Sequence, residues 1–174
     1  AAISVAVIRA LSTFLGSSLS PSEVSDLAYE IEKFHHGTPS GIDNNVIAFQ
    51  TPVFFRRGQP IEYLRIRNTT DWVIADTGEN TPTRETVSAV RALHAAQPDP
   101  IDHVFEQIGE LVNQARPALI KGELDVLGAL LDQNQQLLEK LTVSSPSLEA
   151  LIETAKSAGA CGAKLSGGGR GGSI

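Results

Sequence analysis

Apolar residues recur at helical spacing over most of the chain and cluster like strands in its middle. Residues 1–15 are apolar on nearly every side, which predicts a buried helix that ends at Gly16. The sequence Ser20-Pro21-Ser22-Glu23 has the pattern of a capping box and predicts the start of a second helix. The predicted core face of this second helix consists of Val24, Leu27, Ala28 and Ile31.

Short runs rich in apolar residues predict strands in the middle of the chain. The predicted strands cover residues 46–49, 53–57, 61–66 and 72–75. Gly58-Gln59-Pro60 predicts the turn between the second and the third of them. The last run, Trp72–Ala75, is apolar throughout, so we expect a buried strand that ends at Asp76.

Four further helices and a final strand are predicted in the second half. One helix is expected over 83–96, and another begins at Asp99. The apolar face of this second one comprises Ile101, Val104, Phe105, Ile108, Leu111 and Val112. After Gly122, a leucine seam predicts a third helix and is interrupted by Asn134. The seam consists of Leu124, Leu127, Leu131, Leu138 and Leu141.

The end of the chain combines a capped helix, a strand and many glycines. Ser145-Pro146 predicts the cap of a last helix over 147–158, which Gly159 closes. Residues 160–166 predict a strand that leads into a glycine-rich turn, residues 167–172. The order of helices and strands indicates an α+β fold with a boundary near residue 68.

The composition is that of a globular protein and excludes several classes. The 174 residues are 41% hydrophobic and 20% charged, and the net charge of −6 is spread without a basic stripe, so we expect no nucleic-acid partner. A single cysteine, Cys161, excludes a disulfide within the chain and agrees with a reducing cytosol. No apolar segment is long enough to span a bilayer, so no membrane partner is expected. The chain lacks methionine and starts inside a predicted helix, which suggests that both ends are cut.

Residues 35–45 predict a polar loop, and this segment is the richest in chemically useful side chains. Glycines allow a backbone to approach a ligand closely, and Pro39 stiffens the segment. Composition alone favours an ordinary surface turn over the alternative, a site where Asp43, Ser40 and a histidine converge on one substrate. Glu32 follows Ala28 by four positions and lies at the edge of the apolar face, where a carboxylate is either solvated or turned towards a cation. A single glutamate suits Mg²⁺, which prefers few carboxylates together with substrate phosphates.

The sequence His36-Gly37-Thr38-Pro39-Ser40-Gly41-Ile42-Asp43-Asn44 resembles the His-Gly-x-Pro-Ser-Gly-x-Asp-Asn signature of the mevalonate kinases, a family of the GHMP superfamily. This resemblance implies that Asp43 is the catalytic carboxylate beside the substrate hydroxyl. It also implies that Glu32, eleven residues earlier, binds the magnesium of Mg-ATP. The substrate-binding residues that the resemblance implies are His36, Gly37, Thr38, Ser40 and Thr77.

The segment Gly162–Gly172 is similar to the third GHMP motif, a strand followed by a glycine-rich turn. The similarity implies that the nucleotide binds at Ser166, Gly167, Gly168 and Gly169. Arg170 stands where the usual form of the motif has a glycine. A flexible glycine tail is the alternative interpretation of this segment. The start Ala1–Ala6 resembles the helix that follows the family's phosphate loop, and the loop itself is not in the chain.

The resemblance implies the GHMP kinase fold. Residues 1–68 would be the end of an N-terminal domain like ribosomal protein S5 domain 2, and 69–174 a ferredoxin-like C-terminal domain. Asp43 would lie at the floor of the cleft between them. The absence of N-terminal strands would leave a sheet edge or an apolar patch exposed.

The implied reaction transfers the γ-phosphoryl group of ATP to the primary hydroxyl of mevalonate, with Mg²⁺, in the cytoplasm. Another GHMP small-molecule kinase, acting on phosphomevalonate or a sugar, is an alternative. A non-catalytic module is another, because the chain has no phosphate loop. By analogy with relatives, the partners include a second copy in a homodimer. The 174-residue chain alone is expected to have no kinase activity.

Overall fold

The computed structural model describes residues 1–36, 39–56, 58–66 and 70–174, without the side chains of residues 35 and 36. The chain divides into two compact units, Ala1–Ile66 and Arg67–Ile174, and each is described by itself. The domain assignments 1–68 and 69–174 stay predictions, because the residues around the proposed boundary lie partly outside the described ranges. Within these ranges, no helix has the length and apolar character needed to cross a membrane.

The first unit contains three helices and a small hairpin. Its elements are α1 (Ala2–Phe14), α2 (Pro21–His36), α3 (Ile42–Phe49), β1 (Val53–Phe54) and β2 (Glu62–Tyr63). The two strands pair antiparallel, with Val53 opposite Tyr63. The amide of Gln59 donates to the carbonyl of Arg56 at 3.0 Å, which confirms the turn predicted between these strands.

The predicted capping box at the start of α2 is confirmed. The backbone N–H and the hydroxyl of Ser20 both donate to Oε2 of Glu23 at 2.7 Å, and the amide of Glu23 donates back to the Ser20 hydroxyl at 3.3 Å. The backbone N–H of Ser20, followed by its hydroxyl, lowers the pKa of Glu23 by stabilising the charged carboxylate. The helix start is therefore specified by local sequence alone.

The core of the first unit is small. Val5, Val24, Ala28 and Ala48 form it, so half of the predicted core face of α2 is confirmed. The other half is wrong, because Leu27 and Ile31 are exposed. Helix α1 is likewise not buried all round, since only one of its faces packs on α2 and α3. Its outer stripe, in which each side chain is at least 51% exposed, confirms the expected apolar patch and comprises Ile3, Val7, Leu11 and Phe14.

Residues 46–49 are the end of helix α3, so the strand predicted there is wrong. A run of four apolar residues fits a buried helix as well as a strand, and periodicity cannot separate the two. Asn44 and Ala48 are buried and lie four positions apart, as expected for one face of a helix. The continuous apolar run does not reveal this spacing.

The second unit consists of four helices followed by an irregular, glycine-rich end. The helices are α4 (Thr83–Ala96), α5 (Pro98–Lys121), α6 (Leu124–Lys140) and α7 (Pro146–Ser157). All four were predicted. Gly122 ends α5 with a φ of 73°, and the hydroxyl of Ser145 caps α7 by accepting from the amide of Leu148.

The core of the second unit joins α5, α6 and α7 to the chain end. Its buried members are Ile101, Val104, Leu111, Leu130, Leu137, Leu141, Val143, Leu148 and Leu165. The predicted α5 stripe is confirmed at Ile101, Val104 and Leu111, and Ile108 packs against this core while partly buried. Phe105 and Val112 are exposed. On α6, Leu124 is exposed, and the buried polar residue is Gln135 rather than Asn134. Two members of the predicted seam, Leu127 and Leu141, are buried as expected. Gln135 is buried where it accepts from the amide of Leu165 near the chain end.

The strands predicted at 72–75 and 160–166 are absent from the described structure. Trp72, Val73 and Ile74 are at least 60% exposed. Only single bridges form, from Ser173 to Asp76 on one side and to Ser166 on the other. A strand needs a hydrogen-bonded neighbour along its length, so an apolar run with one paired residue stays irregular.

Candidate active site

Asp43 lies in the first turn of α3, not in a loop as the sequence suggested. Gly41 precedes the helix with a φ of 86°, a conformation that glycine adopts without the steric cost of a side chain. The carboxylate of Asp43 is exposed, and the structure gives it no hydrogen bond or ion pair with any described residue. It is therefore free to accept a proton or a hydrogen bond from a ligand.

The position of Asp43 is fixed by its two neighbours in sequence. Asn44 is buried and donates from Nδ2 to the carbonyl and the hydroxyl of Ser25 on α2, at 3.1 and 2.9 Å. Asn45 donates to the carbonyl of Gly41 at 2.7 Å and accepts from the hydroxyl of Tyr63 at 3.0 Å. These bonds hold α3 against α2 and leave Asp43 on the open side. No sequence pattern pointed to Ser25 and Tyr63, which lie far from the motif along the chain.

The segment before α3 is held by Tyr29. Its hydroxyl donates to the carbonyl of Pro39 at 3.5 Å, and its ring would lie 3.7 Å from a β-carbon placed on Gly41. The hydroxyl of Ser40 is exposed and accepts from the amide of Ile42 at 3.3 Å. Among the other residues predicted to bind substrate, Gly37, Thr38 and the side chain of His36 lie outside the described residues.

Glu32 lies on α2, and its carboxylate is beside the start of helix α1. Its Oε1 is 2.6 Å from the amino nitrogen of Ala1, and its side chain is only 13% exposed. A helix start carries partial positive charge and unpaired amides, the usual partners of phosphate groups. A carboxylate beside it suits a Mg²⁺ ion shared between the protein and those phosphates. No group of three potential metal-binding side chains occurs in the described part of the chain.

In the second unit, the glycine-rich turn packs beside the segment that contains Thr77. The amide of Thr77 donates to the carbonyl of Gly172 at 2.9 Å, and the amide of Gly172 donates to the carbonyl of Glu79 at 2.8 Å. The hydroxyl of Ser173 donates to Asp76 at 2.8 Å. The N–H of Gly78, followed by that hydroxyl, lowers the pKa of Asp76. Thr77 is thus brought next to the turn predicted to bind the nucleotide.

The glycine-rich turn has a packed side and an open side. A β-carbon on Gly169 would lie 2.1 Å from the carbonyl oxygen of Val143, so only glycine fits there. A β-carbon on Gly168 would lie 3.1 Å from the hydroxyl of Thr83. Around Gly167 no heavy atom comes within 4 Å of that position. A ligand can therefore approach the backbone closely at Gly167, and the same space is open at Gly172 at the other end of the turn.

The segment that leads into this turn is tied to α6 and α7 by Gln135. The amide of Leu165 donates to Oε1 of Gln135 at 2.9 Å, and Nε2 of Gln135 donates to Glu149 at 2.8 Å. Next to it, burial lowers the pKa of Lys164, whose Nζ donates to the carbonyl of Leu165 at 2.5 Å. The chain segment that precedes Ser166 and the turn is consequently held by side-chain hydrogen bonds rather than by strand pairing.

The first unit carries Glu32, Ser40 and Asp43, and the second carries Thr77 and the glycine-rich turn. Each set is held by hydrogen bonds within its own unit. That the two sets face one cleft, and that these residues bind substrate, nucleotide and metal, stays a prediction.

Both parts of the chain match sequence profiles of one family. The profile of the GHMP kinases N terminal domain matches residues 1–51, and that of the GHMP kinases C terminal matches residues 115–174. The chain belongs to the GHMP kinase family. This confirms the predicted α+β GHMP kinase fold.

Within the family, the similarity is to mevalonate kinases. The chain is 34% identical to that of Pyrococcus horikoshii, over 99% of this chain and 52% of that protein. It is 36% identical to that of Thermococcus sibiricus, over 99% of this chain and 53% of that protein. The crystal structure of L. major mevalonate kinase in complex with R-mevalonate matches with a TM-score of 0.89 and 34% identity, over 98% of this chain and 53% of that one. The chain spans about half the length of the curated relatives it matches.

Proposed function

We propose that the natural protein carrying this chain transfers the γ-phosphoryl group of ATP to the primary hydroxyl of mevalonate, with Mg²⁺ as the metal. The observation that carries the proposal is the match, at a TM-score of 0.89, to a mevalonate kinase whose crystal structure holds R-mevalonate. The product would be 5-phosphomevalonate, made in the cytoplasm for isoprenoid biosynthesis.

Asp43 would act on the attacking hydroxyl. Its carboxylate is exposed and has no competing partner among the described residues, so it can orient the alcohol or accept its proton. Its backbone is held through Asn44 and Asn45, so the helix that carries the carboxylate is already in place when substrate binds. Phosphoryl transfer depends mainly on such positioning and on charge stabilisation.

Glu32 and the glycine-rich turn would bind Mg-ATP. When bound, ATP supplies the phosphoryl group and the cation offsets the negative charge on its phosphates. The nearly buried carboxylate of Glu32, which lies beside the start of helix α1, fits a cation ligand. The open backbone at Gly167 fits a surface that a nucleotide approaches closely.

The proposal is tested with the natural protein that carries this sequence. Release of ADP from Mg-ATP is measured with R-mevalonate, with 5-phosphomevalonate and with galactose as separate acceptors. We expect turnover with mevalonate only. Turnover with one of the other acceptors would identify that acceptor, rather than mevalonate, as the substrate. No turnover with any of the three would contradict the proposed kinase activity.

Replacing Glu32 by glutamine should weaken the use of magnesium. The amide keeps the shape of the side chain but removes the charge that a cation needs. We expect the Mg²⁺ concentration for half-maximal activity to rise by at least about ten-fold, with lower turnover and an intact fold. Glu30→Gln is the matched control, because Glu30 lies on the same helix and pairs with Lys33 at the surface. Unchanged activity across the magnesium titration in Glu32→Gln would exclude Glu32 as a ligand.

A further inference from the structure

The glycine-rich turn has an unusual backbone that needs support from outside. Gly167, Gly169, Gly171 and Gly172 all have positive φ, between 78° and 119°. Arg170 lies among them with a φ of 56°, in the left-handed region where a side chain is unfavourable. A glycine would adopt this conformation freely, so the turn itself does not require the arginine.

What the arginine adds is a set of contacts to the loop between α6 and α7. Its Nε donates to the carbonyl of Thr142 at 3.0 Å, and its Nη2 donates to the hydroxyl of Thr142 at 3.2 Å. Thr142 has a positive φ of 59°, which is rare for a β-branched residue. The backbone amide of Arg170, which glycine would also supply, donates to the carbonyl of Val143 at 2.7 Å. Two residues in unfavourable conformations are thus bonded to each other.

A third contact fixes the other side of the turn. The hydroxyl of Thr81 donates to the carbonyl of Arg170 at 2.6 Å. Arg170 therefore links the turn to two separate segments of the second unit. No carboxylate contacts its guanidinium among the described residues, and its side-chain partners are the neutral oxygens of Thr142. The side chain serves to hold the backbone rather than to balance a charge.

We propose that Arg170 is a positioning residue that fixes the glycine-rich turn so that Gly167 presents its backbone to the nucleotide. This inference rests on the proposed function, because the ligand is the ATP of that kinase. The contacts to Thr142, Val143 and Thr81 occupy the packed side of the turn, and the space around Gly167 stays open. A turn that is ordered before the nucleotide arrives loses less conformational freedom on binding.

The first test replaces Arg170 by glycine in the natural protein. Glycine keeps the backbone conformation accessible and removes both side-chain contacts. We expect KM for ATP to rise about ten-fold, while kcat at saturating ATP and KM for mevalonate change by less than about two-fold. An unchanged KM for ATP would overturn the proposal. A parallel change in all three constants with a lower Tm would also overturn it, because that result describes general destabilisation.

Three further variants separate positioning from charge. Arg170→Lys keeps the positive charge but lacks the planar group that reaches both oxygens of Thr142, so its KM for ATP should resemble that of Arg170→Gly. Thr142→Val keeps the shape and removes the accepting hydroxyl, and it should raise KM for ATP by a smaller factor because the carbonyl contact remains. Thr142→Ser should behave like the unchanged protein. An unchanged KM for ATP in Arg170→Lys would refute the positioning role, because it would show that the positive charge alone suffices.

Hydrogen exchange distinguishes failure of this inference from failure of the proposed function. Without any ligand, Arg170→Gly should speed amide exchange at residues 167–172 by at least about ten-fold and leave the core of α6 unchanged. If this acceleration is seen but the protein phosphorylates no mevalonate, the proposed substrate fails and the holding role of Arg170 stands. If exchange in the turn is unchanged, the inference fails whatever the substrate.

Discussion

Asp43→Asn should lower kcat by about 10²-fold or more in the natural protein, which is the loss expected when a general base is removed. The amide keeps the shape and one accepting oxygen, so KM for mevalonate and for ATP should change far less than kcat. The structure gives this carboxylate no internal partner to lose among the described residues, and the fold should stay intact. Steady-state kinetics with circular dichroism as a check on folding measure both effects.

A matched control exists on another helix. Asp125 is exposed and is the second residue of α6, as Asp43 is the second residue of α3. Both substitutions therefore remove a similar favourable interaction between a carboxylate and a helix start, about 0.3–1 kcal/mol. Asp125→Asn should leave kcat unchanged. Near-normal turnover in Asp43→Asn, or an equal loss in both variants, would contradict a catalytic role for Asp43.

Gly128→Ala should lower the free energy of unfolding by about 2–3 kcal/mol, because an added methyl group would overlap a packed backbone. A β-carbon on Gly128 would lie 2.1 Å from the carbonyl oxygen of Cys161, and backbone atoms cannot rotate away as a side chain can. The overlap would separate α6 from the segment that leads to the glycine-rich turn. Urea or thermal denaturation measures the loss.

Gly109→Ala is the control with the opposite expected sign. Gly109 lies inside α5, and no heavy atom would come within 4 Å of an added β-carbon. Alanine is favoured over glycine in an exposed helix by about 0.8–1 kcal/mol, so this variant should be more stable than the unchanged protein. If Gly128→Ala also raised stability, the close backbone contact between α6 and Cys161 would be wrong.

The exposed stripe of α1 shows why burial could not be derived from the pattern. An apolar face identifies what can be buried, but burial requires a second surface of matching shape. Only Val5 and Ser12 of α1 are buried, on the side that meets α2 and α3. The side that carries Val7 and Leu11 has the same apolar character and is exposed. Nothing in the helix sequence separates these two sides.

Some residues of the candidate site were identified from the sequence, and others became evident only in the structure. The motif around Asp43 and the glutamate eleven residues before it were singled out from the sequence, because they resemble the signature of the mevalonate kinases. The residues that hold Asp43 in place were not, because Ser25 and Tyr63 contact α3 only after the chain has folded back. Hydrogen bonds between distant segments leave no local signal.

By itself, the sequence determined the features that depend on neighbouring residues: the cap at Ser20, the stop at Gly122, the four helices of the second unit and the family motifs. Capping and helical periodicity act within a few residues, so a linear pattern suffices for them. Only the tertiary structure decided that residues 46–49 are helical, that Trp72, Val73 and Ile74 are exposed and that Gln135 is the buried polar group of α6. These outcomes depend on which distant backbone or side chain supplies the hydrogen bonds and the packing surface, and chain folding alone brings those partners together.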